Sequence, residues 1–206
     1  PRLPWAPRLP AFQKNPAPVI ALLELLKDDP ERYVQRSVAN NINDISKDHP
    51  DIAVDLCRDW LKRAPPERAW IVKHAMRDLV KKGYLPALEL FGAGNPPQVR
   101  IGGFSTIPRN PERGGALRFS FDLTSECADA QDLIIDFVVH FIKANGKTRP
   151  KTFKLARVTL EPGQTVRLGA KVSFADMTTR KHFVGEHRLE AQVNGKACAL
   201  GVFELR

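Results

Sequence analysis

The sequence predicts a multidomain α + all-β protein: helices over residues 1–92, a linker at 93–97 and a β domain over 98–206. Three observations carry that division. Apolar residues recur every three or four positions through the first part, the period of a helix face, and alternate afterwards, the period of a strand. A cluster of turn formers, Gly92-Ala93-Gly94-Asn95-Pro96-Pro97, stands where the period changes. Beyond it, short runs of Val, Ile and Phe are punctuated by Asn145-Gly146 and Asn194-Gly195, the dipeptides of tight hairpin turns.

In the first part, Val19 to Leu26 is nearly all apolar and is expected to form a buried helix. Asp29-Pro30-Glu31 combines an N-cap, a first-turn proline and a first-turn acid. Val34, Val38, Ile42 and Ile45 then mark one helix face. His49-Pro50-Asp51 opens the next helix, with Ala53, Leu56, Cys57 and Trp60 inward. Pro65-Pro66-Glu67 opens a third, with Val72, Ala75, Met76 and Leu79 inward and Gly83 as its C-terminal cap. Leu85 to Phe91 is read as a short closing helix. Pro30-Glu31-Arg32 recurs as Pro66-Glu67-Arg68, and Tyr33 to Val38 aligns with Trp70 to Ala75. A helix-pair repeat of this length predicts a HEAT-like α-solenoid. Two copies bury little continuous core, so more repeats upstream of Pro1, or a capping domain, are expected.

In the second part, Phe119, Phe121 and Leu123 alternate with Arg118, Ser120 and Asp122. Strands are predicted at 98–106, 116–124, 132–143, 150–158, 165–173, 185–193 and 196–205. Seven short antiparallel strands in a domain of this size predict an immunoglobulin-like β-sandwich. There is no Cys…Trp…Cys pattern of the antibody type. His187, just after Gly185-Glu186, stands where such folds often place a tyrosine corner.

Composition narrows the function. Lys and Arg number 32 against 23 Asp and Glu, a net charge of +9. Both parts lean positive, with 15 basic and 12 acidic residues up to residue 95 and 17 and 11 beyond. That suits a polyanionic partner, or equally a solvated basic surface. Cys57, Cys127 and Cys198 have neither metal-ligand spacing nor an even count, which points to a reducing, cytoplasmic location. The histidines have no metal spacing, and no metal site is predicted. No GxxxxGK[ST], GxGxxG or GxSxG motif occurs, so nucleotide hydrolysis, dinucleotide redox and serine hydrolysis are poor fits, and no cofactor is expected. No apolar run reaches the roughly 20 residues of a membrane span. The Pro1-Arg2-Leu3-Pro4-Trp5 start reads as the interior of a longer chain.

The third helix is the most informative. Trp70, His74, Arg77 and Lys81 share a face separate from its apolar one, flanked by Lys73 and Lys82. Lysine and arginine neutralise phosphates, and an indole offers a flat contact to a sugar or base. On the preceding repeat, Arg36, Asn40, Asn43 and Lys47 follow at helical spacing. Arg36 and Lys73 occupy equivalent repeat positions, so a solenoid would set them side by side on one concave face. The candidate DNA-binding set is therefore Arg36, Asn40, Trp70, Lys73, His74, Arg77 and Lys81. A solvated face, with Trp70 packed on its neighbour, is the alternative. Asp44 is the most suggestive carboxylate, with a structural role the competing reading.

Arg2-Leu3-Pro4-Trp5-Ala6, Arg36 to Pro50, Trp70 to Arg77 and Val80-Lys81-Lys82-Gly83 resemble the bacterial DNA alkylation repair glycosylases of the AlkC/AlkD type, the AlkC branch most closely. The resemblance covers about residues 1–92, and some AlkC-branch members carry a C-terminal immunoglobulin-like domain. It implies a monomer whose basic concave face grips duplex DNA. It implies hydrolysis of the N-glycosidic bond of cationic alkylated bases, of the 3-methyladenine type, without metal or cofactor. A carboxylate near the sugar would stabilise the oxocarbenium-like centre and hold a water. Arg36 matches a backbone-gripping arginine of the family pattern, and Trp70, Lys73 and Arg77 its later aromatic and basic helix. The family's catalytic acid is expected upstream of Arg2, which makes this chain look like a C-terminal portion, with Asp44 as the fallback acid. Two other readings stand beside it. One is a solenoid-plus-sandwich scaffold for a protein partner. The other is a non-catalytic DNA-binding module, in which Arg109-Asn110-Pro111-Glu112-Arg113 and Thr178-Thr179-Arg180-Lys181-His182 could reach a groove.

Overall fold

The computed structural model describes residues 8–176 and 181–206. The Arg2 to Ala6 motif, and Thr178, Thr179 and Arg180 of one basic loop, lie outside the described residues. The chain divides into two compact units, Pro1–Gly94 and Asn95–Arg206.

The first unit contains α1 (Pro10–Lys14), α2 (Ala17–Leu26), α3 (Arg32–Ile45), α4 (Pro50–Leu61), α5 (Pro66–Ala75), α6 (Arg77–Lys81) and α7 (Leu85–Glu89). Proline stands in the first turn of α4 and α5, where its missing N–H costs nothing. The N-cap of α3 is Glu31 and not the expected Asp29, whose Oδ1 accepts the Glu31 N–H at 2.8 Å in the turn before the helix. The core gathers Val38, Ala39 and Ile42 of α3, Val54, Cys57 and Trp60 of α4, and Ile71, Val72 and Ala75 of α5. Trp60 is buried, and its indole N–H donates to Glu24 Oε1 at 2.6 Å, tying α4 to α2.

Two expectations are corrected here. The α2 helix is not buried: Leu23 alone is inside, while Leu22 is 56% and Leu25 82% exposed. Among the described residues α2 packs against α1 and α3, and its Glu24 meets Trp60 of α4, which leaves Leu22 and Leu25 uncovered. The third helix is not continuous. It breaks at Met76 (φ −79°, ψ −1°), and a new helix begins at Arg77. Its expected end does hold: Gly83 takes φ +69°, and the Tyr84 N–H bonds back to the Leu79 carbonyl at 3.0 Å.

The relation of α3 to α5 positions the candidate site. Arg32 lies against Trp70 near the start of α3, and Asn40 bonds Arg77 farther along. Rising numbers meet rising numbers, so the two helices run in the same direction. The Asn40–Arg77 offset is 37 residues, the length of the sequence repeat. Asn43 meets Ala75 at an offset of 32, so the contacts follow the repeat only in part.

The second unit is a two-layer antiparallel sandwich. One sheet orders β1 (Val99–Ile107), β2 (Ala116–Ser125) and β5 (Thr165–Ser173) as β1-β2-β5. The other orders β3 (Gln131–Ile142), β4 (Thr148–Leu160), β6 (Gly185–Val193) and β7 (Lys196–Leu205) as β4-β3-β6-β7. The inner faces meet through Leu117, Phe119, Phe121 and Leu123 of β2 and Leu133, Ile135, Phe137 and Val139 of β3. Each fully buried side chain of this size contributes about 1.5–3 kcal/mol. Asn194 (φ +43°) and Gly195 (φ +79°) turn β6 into β7, the positive angles a two-residue hairpin requires. His187 is fully buried, stacked on Phe203 at 5.2 Å, and its Nδ1 meets the Gly185 carbonyl at 2.9 Å.

Candidate nucleic-acid interface

The residues singled out from the sequence fall on α3 and on the α5–α6 segment beside it. Arg36 and Lys73 are exposed and, among the described residues, have no ion-pair partner. They are repeat-equivalent, between the Arg32–Trp70 and Asn40–Arg77 contacts. Lys81 is half-buried and likewise carries no ion pair among the described residues.

Trp70 is half-buried, and its ring is already engaged. The Arg32 guanidinium lies 3.3 Å from the ring centre, and the His74 imidazole stacks on the indole at 4.9 Å with 12° between planes. A cation this close to an indole face is held by the ring quadrupole. Arg32 also donates from Nη1 to Gln35 Oε1 at 3.0 Å, while the buried Gln35 donates to the Asp29 carbonyl at 3.1 Å. The surface here is thus a preassembled Arg32–Trp70–His74 stack, not a bare indole.

Arg77 is held by neutral groups. Its Nη1 donates to the His74 carbonyl at 2.6 Å and its Nη2 to Asn40 Oδ1 at 3.1 Å. Arg68 differs: its guanidinium grips both oxygens of Asp28, one at 2.7 Å, and is neutralised in place. Among the described residues no carboxylate pairs with Arg77.

Besides Gln35, two more polar residues of α3 turn inward. Asn43, expected on the phosphate-facing side with Arg36 and Asn40, is buried and donates from Nδ2 to the Ala75 carbonyl at 2.9 Å. The helical spacing is right, but α5 packs over that position, and the amide serves the packed backbone. Asp44 is 8% exposed, with Lys47 Nζ at 3.2 Å from Oδ1. Lys47 is accordingly paired and not free for an anion.

In the β unit most outward arginines are matched by acids: Arg167 with Asp122 at 2.8 Å, Arg188 with Glu190 at 3.1 Å and Arg113 with Asp176 at 2.7 Å. Arg113 belongs to one of the two basic loops. Lys181 and His182 of the other line a cleft of about 500 Å³ with Phe141, Lys143, Arg149 and Lys151. His182 is buried. Among the described residues no cluster of three or more His, Cys, Asp or Glu side chains is placed to hold a metal, and no helix is long and apolar enough to cross a membrane.

Reading the sequence missed Arg32, Gln35 and the inward turn of Asn43. Arg32 was within reach: it lies four residues before Arg36, on the same helix face.

Comparison with known proteins bears on this geometry. Residues 100–206 match the family described as "Uncharacterised protein YhaZ, C-terminal Ig-like domain". YhaZ of Bacillus subtilis (strain 168) is 39% identical over 196 residues, 95% of this chain and 54% of that protein. The solved structure of Pseudomonas fluorescens alkylpurine DNA glycosylase AlkC, bound to DNA containing an abasic site analog, superposes with a TM-score of 0.93 at 39% identity. That match covers 100% of this chain and 57% of the AlkC chain. The chain belongs to the YhaZ family with a C-terminal Ig-like domain, and over its whole length it is similar to AlkC. Its second unit is the Ig-like domain of that family. The chain spans little more than half the length of these AlkC-type relatives.

Proposed function

We propose that the chain acts in DNA repair, as part of an enzyme that hydrolytically excises cationic N-alkylated bases of the 3-methyladenine type from duplex DNA. The helical unit is read as HEAT-like repeats whose cationic face, Arg32, Arg36, Lys73, Arg77 and Lys81, grips the phosphate backbone. The observation that carries the reading is that face itself. Among the described residues its cations have no carboxylate partner, in a chain that superposes along its whole length on an AlkC solved with DNA. Uncompensated neighbouring cations repel one another, and a polyanion relieves that repulsion while releasing its counterions.

Alkylation makes the base a cationic leaving group, so the chemistry needs little acid assistance at the base. It needs a negative group near the sugar to stabilise the oxocarbenium-like centre and to orient water. Asp44 is the candidate carboxylate read from this sequence. To serve, it would have to leave its ion pair with Lys47 and emerge from near-complete burial. The Ig-like unit has its own cationic cleft around Lys143, Arg149 and Lys181, which favours a second backbone contact from that unit.

The test is to incubate the chain with methylated and unmethylated duplexes and to measure free 3-methyladenine and bound DNA together. Retention of both duplexes, with base release confined to the methylated one, is the expected result. Failure to retain either duplex at low salt overturns the reading.

A further inference from the structure

The break between α5 and α6 falls beside the two asparagines of α3 that look most like phosphate ligands. A helix leaves its last four carbonyls without partners inside the helix. In α5 these belong to residues Val72 to Ala75. Val72 receives the Met76 N–H at 3.0 Å. The His74 carbonyl receives Arg77 Nη1 at 2.6 Å, and the Ala75 carbonyl receives Asn43 Nδ2 at 2.9 Å. Arg77, the first residue of α6, is therefore folded back over the end of α5. Its other prong is fixed by Asn40 Oδ1 at 3.1 Å.

We propose that Asn40 and Asn43 are positioning residues that set the Arg77 guanidinium for a backbone phosphate, and that Asn40 is not itself a DNA contact. This rests on the DNA-binding reading above. The chemistry of the anchors is the argument. A guanidinium has five N–H donors, and two are committed here, which leaves three for a phosphate. Both acceptors are neutral, so the arginine is ordered in advance without losing its charge. A carboxylate in place of Asn40 would order it equally well and cancel it, as Asp28 does for Arg68. Ordering a long side chain before binding removes an entropic cost from the complex. Asn43 acts one step back. By bonding the Ala75 carbonyl it pins the end of α5 to α3, which fixes the His74 carbonyl that Arg77 uses. Arg32 is arranged on the same plan, with Gln35 and the Trp70 face as its uncharged anchors.

The experiment measures affinity for one duplex DNA across a salt series with the wild-type chain, Arg77→Ala, Asn40→Ala and the double variant. Asn40 and Arg77 lie at the surface, and circular dichroism confirms that each variant is folded. Arg77→Ala is expected to weaken binding by about tenfold and to lower the salt slope by about one. Asn40→Ala is expected to weaken binding by about threefold with a partial loss of slope, because the loosened guanidinium meets its phosphate less often. The double variant is expected to match Arg77→Ala alone. A direct Asn40–DNA contact would instead leave the slope at the wild-type value and add its loss to that of Arg77→Ala, and that result overturns the proposal. If Arg77→Ala itself changes neither affinity nor slope, Arg77 is not on the DNA and it is the underlying reading that fails. Asn43→Ala adds a second check: its loss of affinity should vanish in the Arg77→Ala background, and a loss that persists there contradicts its role.

Discussion

The α3/α5–α6 face and the outer faces of the β-sandwich are both rich in arginine and lysine, yet they handle charge in opposite ways. On the sandwich, Arg167, Arg188, Arg113 and Arg157 each stand within 4.0 Å of a carboxylate. On the helical face Arg32 and Arg77 are anchored by amides and a carbonyl, and Arg36 and Lys73 by nothing charged among the described residues. Exposed ion pairs of the first kind are worth about 0–1 kcal/mol and serve solubility and local order. Cations of the second kind are ordered by neutral groups, with no carboxylate among the described residues to cancel their charge. Their arrangement makes physical sense when an anion completes it.

The largest effect expected from this contrast is a loss of DNA affinity on charge reversal. Arg36→Glu with Lys73→Glu should weaken duplex binding by about a hundredfold or more at moderate salt, since two phosphate contacts become repulsions. The same exchange at Arg157 and Arg188, measured in the same binding assay, should cost less than about threefold. Equal losses at the two places would erase the distinction.

Next in size is a test that the two units are held together differently. Trp60→Ala should destabilise the helical unit by about 3–5 kcal/mol in a chemical denaturation curve. Strand-specific probes in the β unit should report no comparable change.

The third concerns pH. Burial pulls the His187 imidazole below its ordinary value of 6.5, against the opposing pull of the Gly185 carbonyl and of Glu204. Its folded-state pKa is therefore lower than its unfolded one, so the unfolded chain binds the proton more tightly. The β unit should hold its full stability above pH 6.5 and lose it as the pH falls below that value. Glu24 behaves differently. Desolvation raises its pKa, but hydrogen bonds from Lys27 and Trp60 and the positive charges of Lys27 and Arg68 outweigh this and leave it below 4.5. The stability it lends the helical unit is present above pH 4.5 and declines only as the pH falls through its lowered value. Thermal melts between pH 4 and 7.5 should show the β unit weakening first; His187→Phe should remove that early loss.

The smallest effect is at a thiol. Burial pushes the Cys57 thiol up to about 12, so it should resist alkylating reagents in the native chain and react only on unfolding. Labelling of Cys57 at the rate of Cys127 would mean that the helical core opens more readily than its packing implies.

Much of this architecture was legible because it is periodic. Alternation along β2 and the turn dipeptide Asn194-Gly195 locate strands to within a couple of residues. Spacing finds most of the inward faces of α4 and α5, namely Ala53, Cys57, Trp60, Val72 and Ala75, but it misses Val54 and Ile71 and puts the half-buried Leu56 inside. What spacing does not carry is the identity of a neighbour. Leu22 and Leu25 look like core residues, and Asn43 like surface, because composition does not say which side of a helix is covered. The break at Met76 has no proline or glycine to announce it. It is supported by side chains from α3 and from Arg77 itself, which are tertiary contacts. In the candidate site, positive charge was readable from the residue types. The neutral anchoring of Arg32 and Arg77 was not, since Gln35, Asn40 and a backbone carbonyl carry no motif.

The most direct test of the account is the salt dependence of duplex DNA affinity for the wild-type chain and for Arg36→Ala with Lys73→Ala. The account predicts a log–log slope shallower by about two, one for each lost phosphate contact, with the fold intact by circular dichroism. A slope and an affinity equal to wild type would contradict it, and would leave the unpaired cations of α3 and α5 without an anion to complete them.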